Sequence, residues 1–495
     1  MSSNPQEIYE ELKRNKIDKL TAVDLLIYLV SNNDNFEVRE ESIKFLQRIG
    51  IKNDKVFSLF ENVLVSDPIP EIRKLGAQYL KELFQGKAIS PLKWSLEHEK
   101  SWQLLLYIVS TLCELNARPI FIDKIKRLNN YRFVKSLTHL IDNEEIQNLD
   151  ISELAEIIKN YIIINYIEES LKEVKYKIIE GLVVELDLAF TSEDTYGWKV
   201  LKYISEIISI MKNLIKLGLR SNKLGKIPDS IFSLNSITYL DLSHNNLNVL
   251  QDLFKNLTSL KHLNLGYNQI TEIPPSMGLI TNLKTLDLNH NKLKTVPSTL
   301  GELTSLVSLN LQGNKIKTLP SSLKELKALE ELNVGLNQLI DFPNWIGDLK
   351  SLKKLSLGGN KSLSKIEEWF DIFPPLIELN LYDNDIKILP ESLGSLDSLE
   401  VLILPNNQIS SFPISFQNLI SLKKLDLSWN KILDLPAWFD LFTSLEELNL
   451  RGNELSKLPN SIYSLPSLRV LNVTLNKKII YPPKEIEKKD LKIIY

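Results

Sequence analysis

The chain is poor in the residues that most protein chemistry uses. Its 495 residues include one cysteine, three methionines and five histidines. A single thiol, Cys113, cannot build a disulfide framework, which points to a reducing compartment. Charge of one sign is also missing. The 59 basic and 62 acidic residues are interspersed and leave a formal net charge of −3, with no basic stripe to suggest nucleic acid. The most apolar runs, near residues 104–112 and 161–167, are too short to cross a bilayer, and the start, Met1-Ser2-Ser3-Asn4-Pro5-Gln6-Glu7, lacks the apolar core of a signal peptide. The expectation is a soluble cytoplasmic protein without membrane insertion or a nucleic-acid partner.

Catalytic motifs are equally scarce. No GxxxxGK[ST] phosphate loop occurs, because Gly86-Lys87 and Gly225-Lys226 lack the preceding glycine and the following Ser or Thr. There is no kinase motif set and no GxSxG elbow. Cys113 lies in the apolar helical stretch Leu112-Cys113-Glu114-Leu115 and reads as a buried core thiol, not a nucleophile. The sequence predicts no enzyme, no cofactor and no metal.

What is present is a repeat. Asparagine recurs at Asn222, Asn245, Asn268, Asn291, Asn314, Asn337, Asn360, Asn384, Asn407, Asn430, Asn453 and Asn476, with a step of 23 residues except for one of 24 after Asn360. Around each sits the frame LxxLxLxxNxL, as in Leu283-Lys284-Thr285-Leu286-Asp287-Leu288-Asn289-His290-Asn291-Lys292-Leu293. Such a period means a solenoid. The LxL segment reads as a short strand with both leucines inward, and stacked copies make a parallel sheet. The Asn marks the bend after the strand, where a short amide with a donor and an acceptor can satisfy buried backbone groups. An LPxxI/LxxL segment follows, for example Leu319-Pro320-Ser321-Ser322-Leu323-Lys324-Glu325-Leu326, whose spacing suits a short helical or 3₁₀ return on the convex side. Proline opens this segment in ten of twelve repeats, with Gln251 and Glu367 as the exceptions.

This frame resembles the Ras-group class of intracellular leucine-rich repeat proteins, which includes the Scribble-type scaffolds and the plant Ras-group-related proteins. The resemblance covers Leu214 to the C-terminus and implies a curved protein-binding platform. The expected fold is an α/β solenoid, a leucine-rich repeat horseshoe with a parallel concave β-sheet, preceded by an all-α helical-repeat domain. The domains are expected at 1–180 (helical), 181–213 (an N-terminal cap repeat) and 214–495 (twelve repeats plus a terminal strand). The cap repeat is read from Val183 to Thr191, lengthened by the loop Ser192 to Gly197. At the other end Pro482 and Leu491 keep the 23-residue register, and Leu491-Lys492-Ile493-Ile494 is predicted as a last strand behind a polar capping run, Lys484 to Lys489, leaving no room for a further domain.

Before residue 180 the 23-residue period disappears and apolar residues fall at helical spacing, as at Leu25, Leu26 and Leu29. The segments Asp34-Asn35-Phe36-Glu37-Val38-Arg39 and Asp67-Pro68-Ile69-Pro70-Glu71-Ile72-Arg73 are similar to each other, and this resembles a HEAT-type helical hairpin, in which an acid in the turn precedes a helix opening with an aliphatic-basic pair. Val174-Lys175 is read as a decayed copy. About five hairpins are expected, running into the first strand at Val183.

On the sheet, the third, fifth, seventh and eighth places of the frame face solvent. The fifth place holds mostly Asp and Asn, as an exposed strand face requires. The other three vary and carry candidate partner-binding residues: Tyr239, His244, His262, Tyr267 and His290 in successive repeats, then Tyr382 and Trp429 further on. Histidines titrate near neutrality, so binding is expected to respond between about pH 5.5 and 7.5. On the convex side Trp345, Trp369 and Trp438 are expected to pack between coils. The set Phe370, Phe373, Phe412, Phe416, Phe439 and Phe442 reads as core, and the insertion after Asn360 as a local dent. Two functions follow. The first is a monomeric, non-enzymatic scaffold or adaptor holding a protein partner on the concave face. The second, implied by the resemblance, is a regulator or effector of a small Ras-type GTPase, for which only Arg220 and Arg451 offer an arginine on that face.

Overall fold

The structure is a computed structural model that describes residues 4–171, 174–190, 197–363, 366, 368, 370–476 and 491–494. The chain divides into two compact units, Met1–Glu185 and Leu186–Tyr495.

The first unit contains nine helices among the described residues: α1 (Pro5–Lys13), α2 (Lys19–Asn32), α3 (Phe36–Ile49), α4 (Asp54–Ser66), α5 (Pro70–His98), α6 (Trp102–Glu114), α7 (Arg118–Lys126), α8 (Tyr131–Asp142) and α9 (Ile151–Ser170). Short polar side chains start most of them. Asn4, Asp18, Asn35, Asn53, Ser101, Asn130 and Asp150 each accept a hydrogen bond from a first-turn N–H, which satisfies donors that the helix leaves orphaned. Pro70 opens α5, and the helical path is interrupted at Gln85, so α5 is two helical segments joined at a kink. The hairpins are tied in series by arginines. Arg39 on α3 donates to both carboxylate oxygens of Asp67 at 3.1 and 3.2 Å and to the carbonyls of Asn33 and Asp34. Arg73 on α5 donates to Glu99 at 2.7 Å twice and to the carbonyl of Asp67. Burial raises the Glu99 carboxyl, but Arg73 and the N–H groups of Ser101 and Lys100 outweigh it and hold it below the usual range. Each arginine thus binds the turn before its own helix and an acid in a later inter-helix turn, Asp67 between α4 and α5 for Arg39 and Glu99 between α5 and α6 for Arg73.

Two expectations need correction here. Val174-Lys175 does not open a helix, because Lys175–Ile179 is a β-strand. Its residues alternate between exposed and half-buried, which is the strand period. Cys113 is half-buried instead of fully buried, with its thiol donating to the Ile151 carbonyl at 3.9 Å.

The second unit is a coil of repeats. From Lys216–Gly218 to Lys492–Ile494, three-residue strands follow in chain order in a parallel sheet, each pairing with the next, so that leucine stands beside leucine (Leu286 beside Leu309, Leu309 beside Leu332). These leucines are essentially inaccessible. Burying each contributes roughly 1.5–3 kcal/mol, and the sum drives the stacking. The ladder asparagines are buried with them, none more than 8 % exposed. Asn314 shows the pattern. Its Nδ2 donates to the carbonyls of Leu288 (3.0 Å), Leu311 (2.9 Å) and Gln312 (3.4 Å), and its Oδ1 accepts from the Leu293 N–H (3.0 Å). Each amide therefore closes its own bend and stitches it to the preceding coil.

The return segments are 3₁₀ helices opened by proline, five residues long in most repeats, as at Ser321–Glu325. Where Gln251 replaces proline the helix shrinks to three residues, Phe254–Asn256, and after Glu367 its described part is Phe370–Ile372. The next residue in each case, Asp252 or Glu368, accepts hydrogen bonds from N–H groups opening the following 3₁₀ helix. The insertion after Asn360 is absorbed in the ladder, where Asn384 accepts from the Asn360 N–H at 2.8 Å. Phe370, Phe416, Phe439 and Phe442 are fully buried, while Phe373 and Phe412 are only half-buried. Trp345 is half-buried, and Trp438 stacks on Phe439 at 5.2 Å and meets Phe412 of the preceding repeat edge-on at 6.2 Å. Trp369, Ser192 to Tyr196, Pro482 and Lys484 to Lys489 lie outside the described residues.

Replacing Asn314 by Ala strips two coils of their shared partner, and the expected cost is about 3 kcal/mol, the upper end for leaving buried backbone groups unpaired. A denaturant midpoint equal to wild type would refute this role. In the helical unit the Arg39–Asp67 pair is nearly dry, with side chains 10 % and 8 % exposed. Arg39→Met is expected to destabilise by roughly 3–5 kcal/mol, and adding Asp67→Leu should recover part of the loss, which a double-mutant cycle reads directly.

Candidate recognition surface on the sheet

The outward face of the sheet is built by two backbone devices. The first occupies the fifth place, where Asp241, Asn264, Asp287, Asn310, Asn333, Asn380, Asp426, Asn449 and Asn472 each accept a hydrogen bond from the N–H two residues on. This is an Asx turn repeated along the stack, and it ends the strand. The second occupies the eighth place. Ser221, His244, Tyr267, His290, Gly313, Leu336, Gly359, Asp383, Asn406, Trp429, Gly452 and Leu475 all have φ between 48° and 74°. From Ser221 to Gly452 their N–H groups extend the inter-coil ladder beyond the strand, as in Tyr267 N–H to the Asn289 carbonyl at 2.8 Å and His290 N–H to the Gln312 carbonyl at 2.7 Å. Reaching that carbonyl while turning into the Asn bend requires the left-handed conformation. Glycine adopts it without penalty, whereas a bulky L-residue is strained there by about 1–2 kcal/mol.

Rings nevertheless occupy this place. Tyr267 lies between His244 and His290, with centroids 4.3 and 4.4 Å away and interplanar angles of 8° and 21°. The column ends at Gly313, where a Cβ would come within 2.8 Å of His290 Nδ1. At its other end Arg220 Nη2 donates to His244 Nε2 at 3.1 Å, which assigns the proton of the neutral imidazole to Nδ1. Beside the column, Tyr239 and His262 face each other at 6.3 Å, and the His262 Nδ1 is 2.9 Å from Thr285 Oγ1. Tyr267 remains 46 % and Tyr239 38 % exposed.

The two C-terminal candidates lie apart from this column. Tyr382 covers Gly358, and Trp429 lies over Gly452 with the Arg451 guanidinium 5.8 Å from its ring. Between them runs Val401, Ile403 and Pro405, the strand whose third, fifth and seventh places are all apolar and half-buried. Ile403, in a column otherwise held mostly by Asp and Asn, is the sign of this strand in the sequence. For the left-handed backbone at the eighth place, the only sign in the sequence is Gly313, Gly359 and Gly452 in that column.

Electrostatics modify the pH expectation. Burial first, then the Arg220 charge, holds the His244 imidazole below its ordinary value. Burial and the nearby Asp241 charge raise the Asp287 carboxyl, although the Asn289 N–H and Asn310 oppose them. His244 therefore stays neutral over the upper part of the range in which it was expected to titrate. A base depressed in the fold is protonated first in the unfolded chain, so its contribution is complete above about pH 6.5 and declines as pH falls below that value. His244→Gln is expected to flatten the fall in denaturant midpoint between about pH 7 and 5. An identical pH profile would remove His244 from this role. Tyr267→Gly exchanges a strained ring for the residue this backbone favours, so it should change stability by less than about 1 kcal/mol, against a clear loss for a buried leucine such as Leu286→Gly.

Comparison with known proteins places this geometry. A model described as "Leucine-rich repeat region" matches residues 250–370 and 375–489, and one described as "Leucine rich repeat" matches 212–270. Among solved structures, a Leptospira interrogans leucine-rich repeat protein is 31 % identical with a TM-score of 0.53, over 59 % of this chain and 80 % of its own. A chain described as a TDR receptor is 28 % identical with a TM-score of 0.50, over 57 % of this chain and 51 % of its own. The PEPR1–AtPEP1 structure, at 21 % identity and a TM-score of 0.50 over 67 % of this chain and 51 % of its own, shares the fold alone. The present chain thus spans about half the length of the latter two. No curated protein matches.

Proposed function

The chain belongs to the leucine-rich repeat family, and we propose that it works without catalysis, as a scaffold or adaptor that holds a protein partner on the outward face of its sheet. The proposed contact residues are Tyr239, His244, His262, Tyr267 and His290, with Tyr382 and Trp429 as a second contact region. One observation carries this reading. Rings are held, stacked and half-exposed, at backbone positions where glycine is the unstrained choice, and Gly313, Gly359 and Gly452 are used elsewhere in the same column. Strain retained on a surface has a natural reason in binding, because stacked rings present rigid apolar area with polar tips at low entropic cost.

The finer reading is of a monomeric cytoplasmic protein of the Ras-group class, supported by the 23-residue LPxxI/L frame and the single cysteine. The helical unit, with its Arg39–Asp67 and Arg73–Glu99 links between successive hairpins, is proposed as a HEAT-like platform for a second partner. A scaffold is favoured over a regulator of a small Ras-type GTPase because the two arginines on this face are already engaged, Arg220 by His244 and Arg451 by Trp429.

With a partner captured from lysate and then purified, Tyr267→Ala and His290→Ala are each expected to weaken binding by roughly 1–3 kcal/mol, while Lys327→Ala, at an exposed return-path place, leaves it unchanged. Wild-type affinity in both ring variants would move the site to the Tyr382 and Trp429 region. Cys113→Ala should bind as wild type does, and total loss of activity in it would favour an enzyme instead.

A further inference from the structure

The ring column ends where the even mixing of charge along the chain also breaks. His290, Lys292 and Lys294 alternate with the buried Asn291 and Leu293, and Gly313, Lys315 and Lys317 alternate with the buried Asn314 and Ile316. The two rows therefore face outward side by side, one coil step of roughly 5 Å apart. All four lysines are exposed, and among the described residues none has an ion-pair partner; Lys292 bonds the neutral Gln269 at 2.9 Å. No acid occurs from Leu288 to Gly301 or from Asn310 to Lys324. Glu272 and Asp341, in the coils on either side, stand one place beyond the lysine rows. The fold does not require these charges. The same two places hold Asn246 and Asn248, Gln269 and Thr271, or Gln338 and Ile340 in neighbouring coils.

At the head of these rows the column has one bare step. The His290 ring stacks on Tyr267 on one side, and on the other it lies over Gly313, which adds no side chain to the column. The next side chain, Leu336, leans away, so that a Cβ on Gly359 would come within 2.6 Å of its Cδ2. His290 and Leu336 stand two strand steps apart, roughly 10 Å. Rings in the column repeat at 4.3 and 4.4 Å, so the interval takes one further ring. We infer that this corner binds an acidic peptide segment carrying an aromatic side chain. The ring continues the column between His290 and Leu336, and the carboxylates beside it lie over Lys292, Lys294, Lys315 and Lys317. The lysines set the sign of the occupant, and the bare step sets its anchor. A single-stranded nucleic acid also offers rings and anions, but it stacks successive bases on a series of rings, and here one step is open before Leu336. The inference rests on the outward face being the binding surface, as proposed above, and adds the class of partner.

The test uses the full chain and synthetic fluorescent peptides of about eight residues, with a central phenylalanine, a pair of acids on each side of it, and serine or glycine elsewhere. This peptide is expected to bind at least about tenfold tighter than a counterpart with lysines in place of the acids, with the gap shrinking at high salt. It should also bind about fivefold tighter than a counterpart with alanine in place of phenylalanine. Only the phenylalanine peptide should shift the His290 imidazole proton signals upfield, as a ring stacked on them does. Lys292→Gln with Lys315→Gln should leave melting unchanged while the acidic peptide loses about fivefold in affinity. Equal binding of the two charge types, equal binding of the phenylalanine and alanine peptides, or an unaffected lysine double variant each overturns the inference. So does no detectable binding of the acidic peptide, or tighter binding of a single-stranded oligonucleotide of about eight nucleotides. If the native partner still weakens with the Tyr267 and His290 variants, the contact surface stands and only this occupant falls.

Discussion

Everything in the repeat unit depends on one buried side-chain amide per coil. A coil that leaves a strand and turns inward must take backbone N–H and C=O groups away from water, and each would cost about 1–3 kcal/mol if unpaired. The ladder asparagine answers both needs at once. In the Asn314 coil, Nδ2 reaches carbonyls of its own bend and of the preceding coil, while Oδ1 takes an N–H from that preceding coil. A leucine there would leave these groups orphaned, and a longer amide would not fit the bend. With the bend satisfied, the leucines can stack in register and the sheet can extend indefinitely, one coil at a time.

The same bend produces the surface chemistry. The residue before each ladder asparagine is left-handed in all twelve repeats, and from Ser221 to Gly452 it still donates its N–H to the next coil. This makes a column of positions with one geometry and few steric demands from the core. Glycine fills it in three coils and a ring in four, with Ser221, Leu336, Asp383, Asn406 and Leu475 in the other five. His290 over Gly313 and Trp429 over Gly452 repeat one arrangement, a ring packed against a residue with no side chain to displace it. The binding proposal and the structural ladder thus share a cause.

The helical unit uses a related device with different chemistry. There the link is a guanidinium that bonds the backbone of the turn before its own helix and an acid in a later inter-helix turn, as Arg39 does with Asn33, Asp34 and Asp67. In both units a side chain with fixed hydrogen-bond geometry joins neighbouring elements, so stability accumulates between neighbours instead of in one central core.

Periodicity made most of the repeat architecture legible, because leucine burial and asparagine bonding recur at one spacing and sequence is a direct record of that spacing. The helical nature of the first unit was legible for the same reason, from apolar spacing and from N-cap residues such as Asn35 and Asp150. Val174-Lys175 does not start a helix because an aliphatic-basic pair has no conformation of its own, and pairing with a neighbouring strand decides it here. The candidate residues on the sheet were also visible as departures from a frame. Their arrangement was not. That Tyr267 lies between two imidazoles and that Arg220 is taken by His244 follow from contacts between residues more than twenty apart and from a backbone angle that no residue type announces. Local pattern determines which residues can form a strand, bend or cap. Only the stacking of coils decides which side chains meet, because that depends on the distance between chains and not along one.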